Sequence, residues 1–130
     1  MKELTGRIIA AFHYVHHKLD FGHLESAYRR AMAVELAYRN IKVAREVPYE
    51  LLHRGVSIGS YRADLVADAS VLIEVKTGKA LDPTAESQVR NYLKISRLQI
   101  GLILRFGPKP KTKRMIFSGS RDVTWVEDPF

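Results

Sequence analysis

The chain contains no cysteine, and this absence removes several chemistries at once. A disulfide framework, a thiolate zinc site and a cysteine nucleophile are all excluded. Long apolar runs are also missing, because the segment 1–20, MKELTGRIIAAFHYVHHKLD, is interrupted by His and Lys and is too short in apolar length for a signal peptide or a membrane span. We therefore expect a soluble, cytoplasmic protein with no membrane partner.

Internal repeats are absent too, and the composition is that of an ordinary globular protein. The 130 residues are 46% hydrophobic and 27% charged. A chain of this length and composition can form one domain that buries its own core without disulfides or a structural metal. We predict a single domain over 1–130, with an N-terminal helix within 1–22 and a C-terminal tail over 118–130.

Positive charge is in excess. The formal net charge of +7 favours a polyanionic partner, since each phosphate neutralised releases counterions. Five basic residues fall within ten positions of a stretch rich in Gly and Pro that is predicted to be a loop: Arg105, Lys109, Lys111, Lys113 and Arg114. This stretch lacks the amphipathic pattern of a membrane-surface helix, so it indicates either a nucleic-acid contact or a solvated turn.

Helical periodicity is clear in the first forty residues. Apolar side chains at helical spacing predict one helix over about 4–19 and a second over about 24–39. Leu24 is expected on the buried stripe of the second helix, and Asn40 at its end is a plausible cap.

From residue 41 the period changes to that of strands. Val43 and the run 47–52 are expected to be extended, with a turn at Arg54-Gly55. Pro48 indicates a sheet edge or a kink, and Gly59 a bulge or a close approach of backbone. Two further strands carry Asp64 and Glu74.

A helix capped by Asp82 follows, then strands over 100–104 and 114–117. Trp125 in the tail is expected to pack onto the body. The order helix, helix, three strands, helix, strand, strand predicts an α+β (α/β) protein with a mixed sheet flanked by helices.

The stretch 61–76, YRADLVADASVLIEVK, holds the strongest candidate site. If Asp68, Ala69 and Ser70 form a three-residue turn, the register places Asp64 directly opposite Glu74, with Lys76 on the same face. Like charges directly opposite each other in a sheet are destabilising, so a cation between them is a natural reason for keeping the pair. A solvated strand face is the other interpretation, and a two-residue loop would instead set Asp64 opposite Ile73.

Several other polar residues have plain structural interpretations. His13 and His17 have the i, i+4 spacing of zinc ligands, but no third ligand is evident. Gln88 and Tyr92 project from the same side of their helix. Tyr28 and Tyr92 are expected to be core residues with a polar tip.

The segment Gly22-His23-Leu24-Glu25-Ser26-Ala27-Tyr28 resembles the G-x-x-E-x-x-Y signature of the GxxExxY proteins, which are grouped with the PD-(D/E)XK nuclease superfamily. The resemblance extends from LTGRII through the Asp64, Glu74 and Lys76 triplet to QVRNYL and LILRFG. It implies a restriction-endonuclease-like αβββαβ core with an extra N-terminal helix. One departure is visible, since Ala63 stands where the superfamily has Pro.

The same resemblance implies roles for particular residues. Asp64 and Glu74 would hold Mg²⁺ or Mn²⁺, with Glu25 as an accessory acidic metal ligand, and Lys76 would orient or help to deprotonate the attacking water. Gln88 and Tyr92 resemble the Q-x-x-x-Y element of RecB-like members.

We therefore expect a metal-dependent nuclease that acts on DNA, at junctions, flaps or strand ends rather than at a specific sequence. Catalytic roles fall to Asp64, Glu74, Lys76, Glu25 and Gln88. Nucleic-acid contacts are expected from Lys109, Lys111, Lys113, Arg114 and Tyr92. Archaeal Holliday-junction resolvases of similar size work as dimers, so a homodimer is expected by analogy. The alternatives are a nucleic-acid-binding module without turnover and a protein-interaction domain.

Overall fold

A computed structural model describes residues 2–79 and 83–118, together with the backbone of residues 123–127. The helices are α1 (Lys2–Leu19), α2 (Glu25–Tyr38) and α3 (Pro83–Ser96). The strands are β1 (Val43–His53), β2 (Val56–Ala67), β3 (Val71–Thr77), β4 (Ile100–Phe106), β5 (Pro110–Phe117) and β6 (Val123–Glu127). Asp82 and the side chain of Trp125 lie outside the described residues.

The strands of the described chain form one mixed sheet in the order β1-β2-β3-β4-β5-β6. Neighbours are antiparallel except β3 and β4, which are parallel. A parallel pair needs a crossover connection, and α3 supplies it. The predicted α+β class with a mixed sheet flanked by helices is confirmed.

Two segments near the C-terminus form strands. The segment 118–130, predicted as a C-terminal tail, contains β6, which pairs with β5. The segment 105–114 was wrongly predicted as a basic loop: it is mostly strand, because β5 begins at Pro110 and only Gly107, Pro108 and Lys109 connect it to β4. Pro can begin a strand because a first residue need not donate to the ladder.

Helices cover both faces of the sheet. On one face, α1 and α2 bury Ile8, Phe12, Tyr28 and Met32 against apolar residues of β2, β3 and β4. On the other face, α3 buries a second core cluster. Burial on both faces explains why β3 and β4 read as nearly continuous apolar runs in the sequence.

Gly101 sets how closely α3 approaches β4. A Cβ atom at this position would lie 2.6 Å from Val89 Cγ1, a distance that real contacts do not reach. The absence of a side chain therefore lets the helix pack directly on the backbone of the strand.

The start of α2 differs from the prediction. Leu24 is 77% exposed and precedes the helix as its N-cap residue, in an extended conformation. Its carbonyl accepts hydrogen bonds from the N–H groups of Ala27 and Tyr28. The first side chain that the helix presents toward the sheet is therefore that of Glu25. At the other end, Asn40 adopts a φ of 62° just beyond the helix, as expected of a terminating residue.

The hairpin of β1 and β2 agrees with the sequence pattern. In the described sheet β1 is an edge strand, which accommodates Pro48. The register shifts between Leu51 and Leu52, opposite Gly59, so the predicted bulge is present. No helix in the described part of the chain is long and apolar enough to cross a membrane.

Candidate metal centre

Of the two loop lengths that the sequence allows between β2 and β3, the structure has the three-residue turn. Ala67 pairs with Val71, and the register continues through Leu65 and Ile73. Asp68 and Ala69 have φ values of 48° and 52°, and the Ser70 N–H donates to the Ala67 carbonyl. The next pair in this register is Asp64 with Glu74, and at that pair the regular backbone ladder ends.

Carboxylates replace backbone carbonyls as acceptors where the ladder ends. The Asp64 N–H donates to Glu74 Oε1 at 3.1 Å. The Val75 N–H donates to Asp64 Oδ2 at 2.8 Å. Each acidic side chain is therefore held by the main chain of the opposite strand, and this cross-bracing fixes both carboxylates at one place on the sheet.

Strand alternation is broken at the same level. Val43 and Leu65 pack into the core cluster beneath α1 and α2, whereas Val47 and Ala63 pack into the cluster beneath α3. Side chains an even number of residues apart on a strand normally lie on the same face of the sheet. Between these positions, therefore, the side chains of both strands switch from one face to the other; we call this the face exchange of the hairpin. Glu46, in β1 at a φ of 48°, lies at the exchange on one strand, and Asp64 lies at it on the other.

Burial and charge make this pair of carboxylates unusual. Burial, together with the charge of Asp64, raises the pKa of Glu74 to about 8. Burial likewise raises the pKa of Asp64, against the opposing effects of the Val75 N–H and the positive charges of Arg29 and Lys76. Glu74 is only 2% exposed. Two buried carboxylates of like charge are costly to ionise together, and a cation would relieve that cost.

One oxygen of each carboxylate remains available. Within the described residues, Asp64 Oδ1 and Glu74 Oε2 accept no hydrogen bond, since the bonds of both side chains go to the other oxygen. Carboxylate oxygens are the ligands that Mg²⁺ and Mn²⁺ prefer, and Mg²⁺ is commonly bound by one or two protein carboxylates. The donor set therefore fits a hard divalent cation.

Glu25 lies beside this pair but does not complete a three-ligand cluster. Its Oε1 accepts the Thr77 N–H at 3.2 Å, and its Oε2 is 3.3 Å from Arg29 Nη1. Across residues 2–79 and 83–118, no three acidic or His side chains group closely enough to hold one ion. The role of Glu25 as a metal ligand therefore stays a prediction, and in the structure its two oxygens contact the end of β3 and Arg29.

Arg29 is a site residue that sequence reasoning missed. Its positive charge opposes the rise that burial causes in the pKa of Asp64, and it is an ion-pair partner of Glu25. The signal was available, because Glu25 and Arg29 are four residues apart on a helix and such pairs face each other. Lys76 lies two residues after Glu74 on β3 and is partly buried, and its charge favours the ionised form of both carboxylates.

Gln88 and Tyr92 act on the site through β2. Gln88 Nε2 donates to the Tyr92 hydroxyl at 2.8 Å, and that hydroxyl donates to the Arg62 carbonyl, also at 2.8 Å. This chain of hydrogen bonds ties α3 to the strand just before Asp64. Burial raises the pKa of Tyr92, as does the nearby charge of Glu74.

The prediction that Tyr92 contacts nucleic acid does not agree with its position. Tyr92 is 2% exposed, so its ring has almost no surface to offer to a base. It is the core residue with a polar tip that the sequence also allowed.

The predicted basic contacts fall into two groups. Lys109 and Lys111 are exposed, on the β4–β5 turn and at the start of β5. Lys113 forms an ion pair with Glu86 of α3, and Arg114 is partly buried on β5. Arg105 is 7% exposed and donates to the Thr77 carbonyl at 3.1 Å. The segment is therefore less uniformly available to a ligand than a solvated loop would be.

The histidine of α1 that contacts the β4–β5 turn is His16, not His13 or His17, which have the spacing of zinc ligands. His16 Nε2 donates to the Gly107 carbonyl at 2.8 Å and so ties α1 to the β4–β5 turn. His13 is partly buried with a lowered pKa, caused by burial and by the neighbouring His16. His17 is exposed.

Comparison with known proteins gave matches to solved structures and to a family. No curated protein matched the chain. Among solved structures, the chain is similar to SSO0001, known from a crystal structure, with a TM-score of 0.46 and 19% sequence identity. The similarity covers 75% of this chain and 46% of SSO0001, so the chain spans about half the length of that protein.

A further match is to a family. Residues 2–115 match the sequence model of the PD-(D/E)XK nuclease superfamily. This range includes every site residue discussed above. The chain belongs to the PD-(D/E)XK nuclease superfamily.

Proposed function

We propose that the protein is a divalent-metal-dependent nuclease that hydrolyses phosphodiester bonds in DNA. The observation that carries the proposal is the cross-braced pair of Asp64 and Glu74, with one oxygen of each carboxylate still available. We further propose that it is a GxxExxY protein, since Gly22, Glu25 and Tyr28 stand at the signature positions.

Asp64 and Glu74 would hold the metal, Mg²⁺ or Mn²⁺. The bound ion would supply charge neutralisation at the scissile phosphate and a nucleophilic water near neutral pH. The residues around the pair have supporting tasks. Lys76 brings a positive charge to the same face, where it would stabilise the negative charge that develops on the phosphate. The chain from Gln88 through Tyr92 to the Arg62 carbonyl holds the strand that carries Asp64 in place.

Glu25 has a positioning task in this proposal. Because it holds the Thr77 N–H, it ties the N-terminus of α2 to the end of β3, directly after Lys76. This contact gives the Glu25 position of the signature a physical role that does not require direct contact with a metal. Removal of Glu25 would loosen the segment that presents Lys76.

The substrate we propose is DNA at junctions, flaps or strand ends. The net charge of +7 favours a polyanion. A chain of this size covers little nucleic acid, and a homodimer would extend the contact surface, as in the dimeric resolvases of similar size. Shape or an end, rather than a specific sequence, would then determine where the protein cuts.

The test is a cleavage assay on single-stranded, duplex, flap and four-way DNA and the matching RNAs, with Mg²⁺, Mn²⁺ or EDTA. The wild type is compared with Asp64→Ala and Lys76→Ala. Glu35→Gln is the matched control, because Glu35 is a partly buried acidic residue of α2 whose ion pair within the described chain is with Arg39 of the same helix.

We expect cleavage by the wild type and by the control with Mg²⁺ or Mn²⁺, and none by either site variant or in EDTA. Cleavage that persists in Asp64→Ala would show that these carboxylates are not the catalytic site. Binding of DNA without cleavage under every condition would favour a nucleic-acid-binding module that retains a nuclease fold.

A further inference from the structure

A second concave site lies at the C-terminal ends of β3 and β4. It is a cavity of about 300 Å³ lined by backbone and side chains from three short segments: Gly78, Lys79, Arg105, Gly107, Pro108, Lys109 and Lys111. Four of the seven lining residues are cationic and none is acidic. We call this cavity the basic pocket.

The basic pocket is aligned with the carboxylate pair across the sheet. Lys76 on β3 pairs with Arg105 on β4, and Arg105 pairs with Lys111 on β5. Directly paired residues on neighbouring strands share a face, and Glu74 shares that face with Lys76. Three cationic residues therefore form a row that leads from the carboxylates to the pocket over two strand spacings, about 10 Å.

Arg105 is the residue that most needs a partner. It is 7% exposed, and the only hydrogen bond of its side chain within the described residues goes to the neutral Thr77 carbonyl. A buried cation without a counter-charge is costly, and proteins normally supply one. In the described residues none of the four pocket cations forms an ion pair with a carboxylate.

The backbone of the pocket is shaped by two glycines. A Cβ atom at Gly107 would lie 2.6 Å from the Gly78 carbonyl oxygen, so the two turns approach as closely as the main chain allows. Gly78 has a φ of 102°, which favours glycine, and its N–H donates to the Phe106 carbonyl at 3.4 Å. A side chain at Gly107 would separate the two turns, and one at Gly78 would strain its backbone.

We propose that the basic pocket binds a phosphate group of the nucleic-acid substrate, next to the phosphate that is cut. A guanidinium and several ammonium groups around a concave space are the chemistry that recognises phosphate. The binding of an anion follows from the pocket alone. That the anion belongs to a nucleic-acid strand rests on the proposed nuclease function.

Two measurements on the full chain test the proposal in EDTA, where no cleavage occurs. In the first, inorganic phosphate is titrated while the backbone amide resonances are followed by NMR, with sodium perchlorate as the ionic-strength control. We expect saturable shifts at Gly78 and Gly107 and none at Gly6 and Gly55, which lie outside the pocket. Shifts that are absent, or that perchlorate reproduces, would overturn the assignment.

The second measurement is the affinity for a short single-stranded DNA as a function of salt concentration. Lys111→Gln alters an exposed pocket residue and is expected to fold, whereas Arg105→Gln alters a buried one and serves as the stronger variant. We expect Lys111→Gln to weaken binding and to reduce the slope of log affinity against log salt by about 1. Lys94→Gln, on α3 outside the pocket lining, is the charge-matched control and should leave a larger slope.

The oligonucleotide is used with a 5′ phosphate, a 3′ phosphate or neither. A preference for one phosphorylated end that Lys111→Gln abolishes would identify a terminal phosphate as the ligand. Equal affinities, all reduced by Lys111→Gln, would identify an internal phosphodiester. If Lys111→Gln and Lys94→Gln have the same slope, the pocket is not a phosphate site, even if the protein cleaves DNA. If the pocket binds phosphate but no cleavage occurs, the nuclease proposal alone fails.

Discussion

Asp64 and Glu74 are braced against each other through the main chain: the N–H of Asp64 donates to Glu74 Oε1, and Asp64 Oδ2 accepts the N–H of Val75. The two carboxylates thus serve as structural acceptors with one oxygen each. Their other oxygens accept no hydrogen bond from the described residues. In the proposed site, one oxygen of each carboxylate holds the backbone and the other would bind the metal, and substitutions can separate these roles.

Replacement of either acid by its amide should remove activity but keep the fold. In Asp64→Asn and Glu74→Gln the carbonyl oxygen of the new amide can still accept the N–H from the opposite strand. A bound metal, however, would lose a charged ligand, and a catalytic metal supplies several kcal/mol of charge stabilisation in the transition state. We expect cleavage to fall by at least about 100-fold, at tenfold per 1.4 kcal/mol, with the thermal midpoint unchanged or raised. A variant that cleaves normally would contradict the assigned role.

The raised pKa of Glu74 predicts how stability depends on pH without metal. The value rises from 4.5 in an unstructured chain to about 8 in the fold, so between these values the folded state binds more protons than the unfolded state. The contribution of Glu74 to the free energy of unfolding is therefore fully present below pH 4.5 and is lost as the pH rises toward 8. The measurement is chemical denaturation in EDTA from pH 5 to 8.5.

Other groups titrate in the same range, so the relevant quantity is the difference between the wild type and Glu74→Gln. We expect Glu74→Gln to gain stability relative to the wild type as the pH rises, because it has no charge to bury. A constant difference across the range would mean that Glu74 is not protonated in the folded protein near neutral pH.

Divalent cations should stabilise the wild type through Asp64 and Glu74 rather than through Glu25. A ligand at 100 times its dissociation constant stabilises a protein by about 2.7 kcal/mol. We expect Mg²⁺ or Mn²⁺ to raise the thermal midpoint of the wild type and of Glu25→Gln, but not that of Glu74→Gln. Loss of the effect in Glu25→Gln would return Glu25 to the set of metal ligands.

The hydroxyl of Tyr92 should contribute measurably to stability. It accepts from Gln88 and donates to the Arg62 carbonyl, so Tyr92→Phe leaves two partly buried groups without a partner, at a cost of about 1–3 kcal/mol. Tyr49→Phe is the matched control, because within the described chain the Tyr49 hydroxyl makes no hydrogen bond, and we expect a change within about 0.5 kcal/mol. Equal effects of the two substitutions in chemical denaturation would show that the hydrogen-bond chain does not hold β2.

The sequence predicted the parts of the site that depend on strand register. A three-residue turn at 68–70 pairs Ala67 with Val71, as the structure shows. Strand alternation then places Glu74 and Lys76 on one face. Alternation could not predict what happens at Asp64 itself, where the hairpin exchanges its faces and side-chain oxygens replace the backbone ladder. That exchange depends on how the hairpin twists against α3, which is a property of packing between distant segments.

The exposure of two residues, Leu24 and Arg105, was also not predicted by the sequence pattern. Leu24 was expected in the core because its spacing matched the buried stripe, but the N-cap conformation turns it outward. Arg105 was counted among loop cations because the stretch around it is rich in Gly and Pro. In the fold it is a buried strand residue, since β4 continues to Phe106. Local composition did not reveal either outcome, because tertiary contacts determine both.

A single substitution, Gly to Ala, should have opposite effects at two positions. At Gly101 a Cβ atom would lie 2.6 Å from Val89 Cγ1, so Gly101→Ala forces α3 away from β4 at a cost of about 1–3 kcal/mol. At Gly6, on the exposed surface of α1, nothing lies within 4 Å. There Ala should stabilise the helix by about 0.5–1 kcal/mol through its higher helix propensity. Chemical denaturation measures both variants, and a Gly101→Ala protein as stable as the wild type would contradict the close packing of α3 on the sheet.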